Sequence, residues 1–265
     1  MKQDIGVFDS GIGGLTILKE LITSLSGESF IYFADSKNAP YGIKTAEEIL
    51  KLSEKILDFF IQKNCKLVVI ACNTATAAAV EELRKKYAIP IIGLEPAVKP
   101  ACLSTKTGKI GVLATEGTFR GNHFKNTSEK YKDYVDIYLQ VAKQLVELAE
   151  LGIFSGNEVN ENIELYINPL KKENVDKIVL GCTHYAFFID SIKKIAGENI
   201  EIIDSAQAVT KRTKDILILN RIFNTQSIYS TQKIEFYTSG NTKIIQNLVE
   251  TYLNIKNNIV QYLLL

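Results

Sequence analysis

Two cysteines stand in matching surroundings in this chain. Cys72 follows the apolar run Leu67-Val68-Val69-Ile70-Ala71 and precedes Asn73-Thr74, while Cys182 follows Ile178-Val179-Leu180-Gly181 and precedes Thr183-His184. A cysteine at the end of an apolar strand is ordinarily a small buried hydrophobe. Two of them about 110 positions apart, each leading into hydrogen-bonding side chains, favour chemistry. A thiol of ordinary pKa, about 8.5, is ionised to only a few per cent at neutral pH. A lone cysteine could serve as a nucleophile with His184 as its base. His184 is two residues from Cys182, and along a helix or strand such neighbours do not face each other, so only a turn would bring them together. Cys65 stands before its strand and Cys102 on an expected helix; both read as structural, as does His123 beside Arg120 and Asn122.

Other polar groups gather where apolar runs end. In open parallel sheets ligands bind at the carboxyl ends of strands. That rule selects Asp9-Ser10-Gly11-Ile12-Gly13-Gly14, Asp35-Ser36 with Pro40-Tyr41-Gly42, Asn73-Thr74, and Thr115-Glu116-Gly117-Thr118. The glycine-rich turn invites an anion, because N–H groups at a helix start bind one readily. It lacks the third glycine of a dinucleotide fingerprint, where Thr16 stands, and the Gly-Lys-Ser/Thr of a P-loop. A carboxylate suits it best, with a purely structural turn as the other reading.

The elements that must position these groups alternate strand and helix. Ile5–Phe8, Phe30–Phe33, Leu67–Ala71 and Pro90–Gly93 read as buried parallel strands, with helices after Gly13-Gly14, from a Thr45–Glu48 capping box, and from Ala75 to Tyr87. Ile110-Gly111-Val112-Leu113 repeats the pattern of Ile5-Gly6-Val7-Phe8, and the two cysteine segments repeat at nearly the same offset. This predicts a duplicated, doubly wound α/β fold, divided as 1–94 plus 208–265 and 95–207. The tail offers a strand at Ile234–Tyr237, a turn at Ser239-Gly240-Asn241, a helix from Thr242 to Tyr252, and an apolar ending that packs on the first domain or a partner subunit.

Composition bounds the function. Among 265 residues, 31 Lys plus Arg against 30 Asp plus Glu leave a net charge of +1, with no electrostatic case for nucleic acid or an anionic membrane. Hydrophobic residues at 46% and charged residues at 23% predict a packed core. Four cysteines without C-x-x-C spacing and two histidines argue against a zinc site. Free thiols, no signal-like N-terminus and no apolar run of about 20 residues point to the reducing cytoplasm.

Phe8-Asp9-Ser10-Gly11-Ile12-Gly13-Gly14, Pro40-Tyr41-Gly42, Ala71-Cys72-Asn73-Thr74-Ala75 and Gly181-Cys182-Thr183-His184-Tyr185, in this order over nearly the whole chain, resemble the cofactor-independent glutamate racemases of bacterial wall synthesis. The resemblance implies two pseudo-symmetric doubly wound parallel-sheet domains with the active site between them. It implies that Cys72 takes the α proton from D-glutamate and Cys182 from L-glutamate. Asp9 would manage protons beside Cys72, with His184 and Glu150 doing so beside Cys182. Asp9, Ser10, Tyr41, Gly42, Asn73, Thr74, Thr183 and His184 would surround the amino acid. No cofactor and no metal are implied, and a homodimer is. Glu150 ends Glu147-Leu148-Ala149-Glu150, where the family usually has Pro-Leu-Val-Glu, and Ala186-Phe187-Phe188 replaces a usual proline and leucines, which predicts altered packing behind the site. The competing readings are an aspartate or other amino-acid racemase of the same superfamily and, more remotely, a non-catalytic acidic amino-acid-binding protein.

Overall fold

In the computed structural model the described residues are 3–224, 232–256 and 258–265; the His123 side chain, read above as structural, lies outside them. The first apolar runs form β1 (Ile5–Asp9), β2 (Phe30–Ala34), β3 (Leu67–Ile70) and β4 (Ile91–Gly93). Every residue of β1, β2 and β3 is buried, as strands covered on both faces must be. They run parallel in the order β2-β1-β3-β4. A separate parallel sheet contains β5 (Lys109–Ala114), β6 (Asp136–Val141), β7 (Lys177–Gly181) and β8 (Glu201–Ile203), in the order β6-β5-β7-β8. The two orders correspond strand for strand, so the repeated sequence patterns mark a repeated topology. β9 (Ile234–Thr238) and β10 (Val260–Tyr262) extend the first sheet beyond β2.

Helices fill the crossovers. α1 (Leu15–Ser24) leaves the glycine turn, and α2 (Ala46–Gln62) begins at the predicted capping box, where Thr45 N–H donates to Glu48 Oε2 at 2.8 Å. α3 (Asn73–Lys86) begins two residues before the predicted Ala75, because Cys72 caps it: Sγ accepts the Ala75 N–H at 3.4 Å. The second sheet is wrapped by α4 (Val98–Ser104), α5 (Glu116–Arg120), α6 (Asn122–Tyr131), α7 (Lys143–Glu150), α8 (Asn157–Lys172) and α9 (Ile189–Ala196). α10 (Ala206–Leu219) carries the chain back to the first sheet, and α11 (Thr242–Thr251) joins β9 to β10.

The chain passes between the sheets after β4 and again before α10, and the passes are tied together where the Ser205 hydroxyl donates to the Glu95 carbonyl at 2.6 Å. The returning chain is anchored by a buried ion pair: Lys66 Nζ lies 2.6 Å from Glu28 and 2.7 Å from the Ile222 carbonyl, and Glu28 accepts the Asn224 N–H at 2.8 Å. Part of the apolar ending packs on the first sheet, with Leu263 and Leu265 against the core that holds Phe8, Tyr41 and Cys72, while Ile259, Tyr262 and Leu264 stay exposed. Phe187 meets Phe154 at 4.9 Å in a tilted pair and Tyr252 at 5.0 Å edge-on, centroid to centroid, so this segment packs through aromatic contacts. Among the described residues no helix is long and apolar enough to cross a membrane.

Candidate active site

Asp9 ends β1 with no exposed surface. Its Oδ2 accepts the N–H groups of Gly11 at 3.2 Å and Gly14 at 3.0 Å, and its Oδ1 accepts the Thr183 hydroxyl at 3.5 Å. The Ile12 N–H between them goes to Glu150 Oε1 at 2.9 Å. The turn does attract carboxylates, but they are the protein's own, and these helix-start donors are spent on them. Its glycines serve close approach: a Cβ at Gly11 would lie 1.8 Å from Glu150 Oε1, and one at Gly13 would lie 2.4 Å from Thr183 Oγ1. Tyr32 supports the turn from below, donating to the Gly11 carbonyl at 2.9 Å. Burial pushes the Asp9 carboxyl up to about 6; positive His184 pulls against this, the Glu150 charge adds to it, and the Gly14 and Gly11 N–H groups oppose it.

Cys72 lies at the carboxyl end of β3, buried, with its thiol 3.6 Å from Ser10 Oγ. Burial first, then the charge of Asp9, push this thiol far above its ordinary range, outweighing the Ala75 N–H and the Ser10 hydroxyl. The matching position after β7 holds Cys182, also buried, 3.6 Å from His184 Nδ1. A 3-10 turn over Thr183–Phe188 makes that contact between near neighbours possible. His184 Nε2 meets Glu150 Oε1 at 2.6 Å. Burial alone would discharge the imidazole, but Cys182 and Glu150 together hold its pKa well above the usual histidine value. Thiol, imidazole and carboxylate thus form one connected series, and the carboxylate end also touches the first sheet's glycine turn.

A model of the Asp/Glu/Hydantoin racemase family matches residues 5–213. The chain belongs to that family. It is 45% identical to a glutamate racemase of Clostridium novyi over 92% of this chain and 95% of that one. Its structure superposes on glutamate racemase isoform RacE1 from Bacillus anthracis with a TM-score of 0.88 at 32% identity, covering 100% and 98% of the two chains. A glutamate racemase from Francisella tularensis, solved in complex with D-glutamate, gives a TM-score of 0.85 at 30% identity over 99% and 98%. The protein is therefore an amino-acid racemase, an isomerase.

The racemase fold brings the buried residues Asp9, Ser10, Cys72, Cys182, Thr183 and His184 together with the partly exposed Glu150. Asn73 donates to the Leu94 carbonyl at 3.3 Å, fastening α3 to the segment after β4. Thr74 Oγ1 lies 2.7 Å from Thr115 Oγ1 and 3.4 Å from Thr118 Oγ1, a hydroxyl cluster between the sheets. Thr115 and Thr118 were visible as strand-end residues, yet the resemblance did not place them around the substrate. The Tyr41 phenol donates to Asp35 at 2.6 Å, so its hydroxyl is committed to that carboxylate. What this turn can offer is backbone N–H, from the start of a 3-10 segment, Tyr41–Ile43. Gly42 accepts an Arg120 guanidinium bond at its carbonyl, 3.3 Å, and a side chain there would meet Thr115 at 3.1 Å. Cys65 and Cys102 are buried at other places in the two halves, in apolar clusters.

Proposed function

We propose that this racemase interconverts L- and D-glutamate by moving the α proton between Cys72 and Cys182 without a cofactor, and that it supplies D-glutamate for peptidoglycan. The observation that carries the reading is the pair of buried thiols at matching strand ends of two matching sheets, each with its own polar partners. Residues 1–94 with 208–265 form one domain of this reading and 95–207 the other. The Asp9–Thr183 and Ile12–Glu150 bonds span the seam. Glutamate is favoured as substrate by the names of the similar proteins and by the D-glutamate complex of one of them.

Racemisation breaks the Cα–H bond on one face and makes it on the other, so each base must stand within roughly 3 to 3.5 Å of the carbon. Starting from L-glutamate, Cys182 thiolate takes the α proton, and the bonding electrons remain on Cα, delocalised into the carboxylate. The Cys72 thiol then delivers its proton to the opposite face, leaving D-glutamate, a Cys182 thiol and a Cys72 thiolate. D-glutamate reverses the roles. Burial and Asp9 favour Cys72 as the thiol of the free site, while the imidazolium neighbour belongs to Cys182. In this reading the substrate ammonium faces Asp9, and the Ser10 hydroxyl with backbone N–H groups of Asn73, Thr74 and Thr183 supplies neutral donors. In enzymes that use such donors, one is worth about 3 kcal/mol to the transition state.

Purified protein with L-glutamate in D₂O is expected to exchange the α proton, read by NMR, while its optical signal decays. A parallel tube of aspartate should stay silent; turnover of aspartate alone would replace glutamate as the substrate. Cys72→Ser and Cys182→Ser should each lose racemisation by about a hundredfold or more while melting normally. Either variant running near the wild-type rate would overturn the two-thiol assignment.

A further inference from the structure

Asp35 is a buried carboxylate that plays no part in the proton transfer. It follows β2, directly beside β1, where its N–H donates to the Asp9 carbonyl at 3.0 Å. Its oxygens accept the Asn38 amide at 2.9 and 3.0 Å, the Tyr41 phenol at 2.6 Å and the Ser239 hydroxyl at 2.7 Å. Three side chains, two from the loop itself and one from the C-terminal part of the chain, are thereby gathered on one carboxylate, in an interior where charge-assisted bonds are strong and hard to replace. Ser239 Oγ also accepts the Lys37 N–H at 3.1 Å, so the residue after β9 is fastened to the loop twice. The loop leads to Tyr41–Gly42, which abuts Thr115, itself 2.7 Å from Thr74 in the hydroxyl cluster two residues beyond Cys72. Ser239 lies outside the 5–213 segment that the family model matches.

We propose that Asp35 is a positioning residue of the racemase site, and that Ser239, from the C-terminal part of the chain, completes its grip on the Tyr41–Gly42 turn that borders the substrate. The carboxylate fixes where the turn's backbone N–H groups and the Gly42 edge sit against Thr115, so it acts on substrate capture and leaves the two thiols untouched. The proposal rests on the glutamate racemase reading for its kinetic part alone.

The test compares wild type with Asp35→Asn, Ser239→Ala and Ser239→Thr. An amide in place of the carboxylate meets the Asn38 amide with a donor of its own, and KM for both enantiomers should rise by about tenfold with kcat held within about threefold. Ser239→Ala should raise KM by about threefold, and Ser239→Thr, which keeps the hydroxyl, should restore it. Amide hydrogen exchange over residues 36–43, read without substrate, should quicken in Asp35→Asn and Ser239→Ala. That arm stands even if glutamate proves the wrong substrate, so the two readings fail separately. Unchanged exchange in Ser239→Ala, or a fall in kcat with KM fixed, would overturn the proposal. Should Asp35→Asn fail to fold, equal KM values for the Ser239→Ala and Ser239→Thr proteins would do the same.

Discussion

Asp9 shows what one residue gives up to hold a charge inside a closed site. Its carboxyl is raised to about 6 in the folded protein from 3.8. Between those values the native state binds the proton more tightly than the unfolded chain does. Stability therefore falls as pH rises through this window, and the full loss, on the order of 3 kcal/mol, is present above pH about 6. Asp9→Asn should then be more stable than wild type at pH 7, by up to that amount, and no more stable at pH about 4, while racemisation drops by about a hundredfold or more. Urea melts at the two pH values, with optical assays beside them, check both halves; a pH-independent difference would remove Asp9 ionisation as the cause. At this scale the sequence was legible in residue types and less so in directions. Cys72, Cys182 and Asp9 are found where strand ends were predicted, and Glu150 reaches the site despite its altered neighbours. The Tyr41 phenol, by contrast, turns to a carboxylate that carried no assigned role. Which way a side chain points follows from its neighbours in space, and Ser239 is far from Tyr41 along the chain.

The glycine-rich turn is the element where sequence reasoning came nearest and still needed the fold. Its helix-start donors do bind carboxylates, as their position dictates, but Asp9 and Glu150 fill them. Nothing local in Gly11-Ile12-Gly13-Gly14 reveals that a second sheet's residues close upon it. Gly11→Ala places a methyl group 1.8 Å from Glu150 Oε1. It should displace that carboxylate from Ile12 N–H and His184 together, with a loss of about 1 to 3 kcal/mol in stability and about tenfold or more in kcat/KM. Glu150→Ala in the same chain should recover part of the stability, because the clash has gone, and none of the activity. Thermal melts of the singles and the double variant form the cycle that measures this; strict additivity would show that the two positions do not meet. Strands and helices of the first sheet were legible because buried parallel strands are continuous apolar runs and the Thr45–Glu48 cap carries its own signature, whereas β6, with exposed residues along its length, and the short β8 carry no such run. The tail's part was not, since Ser239 looks like any turn residue until β9 sets it beside β2.

Across the whole molecule, stability and chemistry are held by different groups. Lys66 and Glu28 anchor the returning chain at the end of the first sheet opposite the thiols. Lys66→Met would leave Glu28 buried without its counter-charge, a loss of about 3 to 5 kcal/mol in unfolding free energy. Denaturant melts should show that loss, while kcat and KM of the folded protein stay within about twofold of wild type. A matching collapse of kcat would mean that the anchor reaches the site. The duplicated topology was readable from paired motifs, but the ties between its halves were not, because they join residues such as Glu95 and Ser205 that no motif connects. That last tie has a mechanical meaning. Two chain passes bonded to each other act as a doubled strap, so a pull on either is shared by both. Parting Cys182, Thr183, His184 and Glu150 from Asp9 and Cys72 would also have to break the Asp9–Thr183 and Ile12–Glu150 bonds, so the strap and the site hold the same two halves from different places.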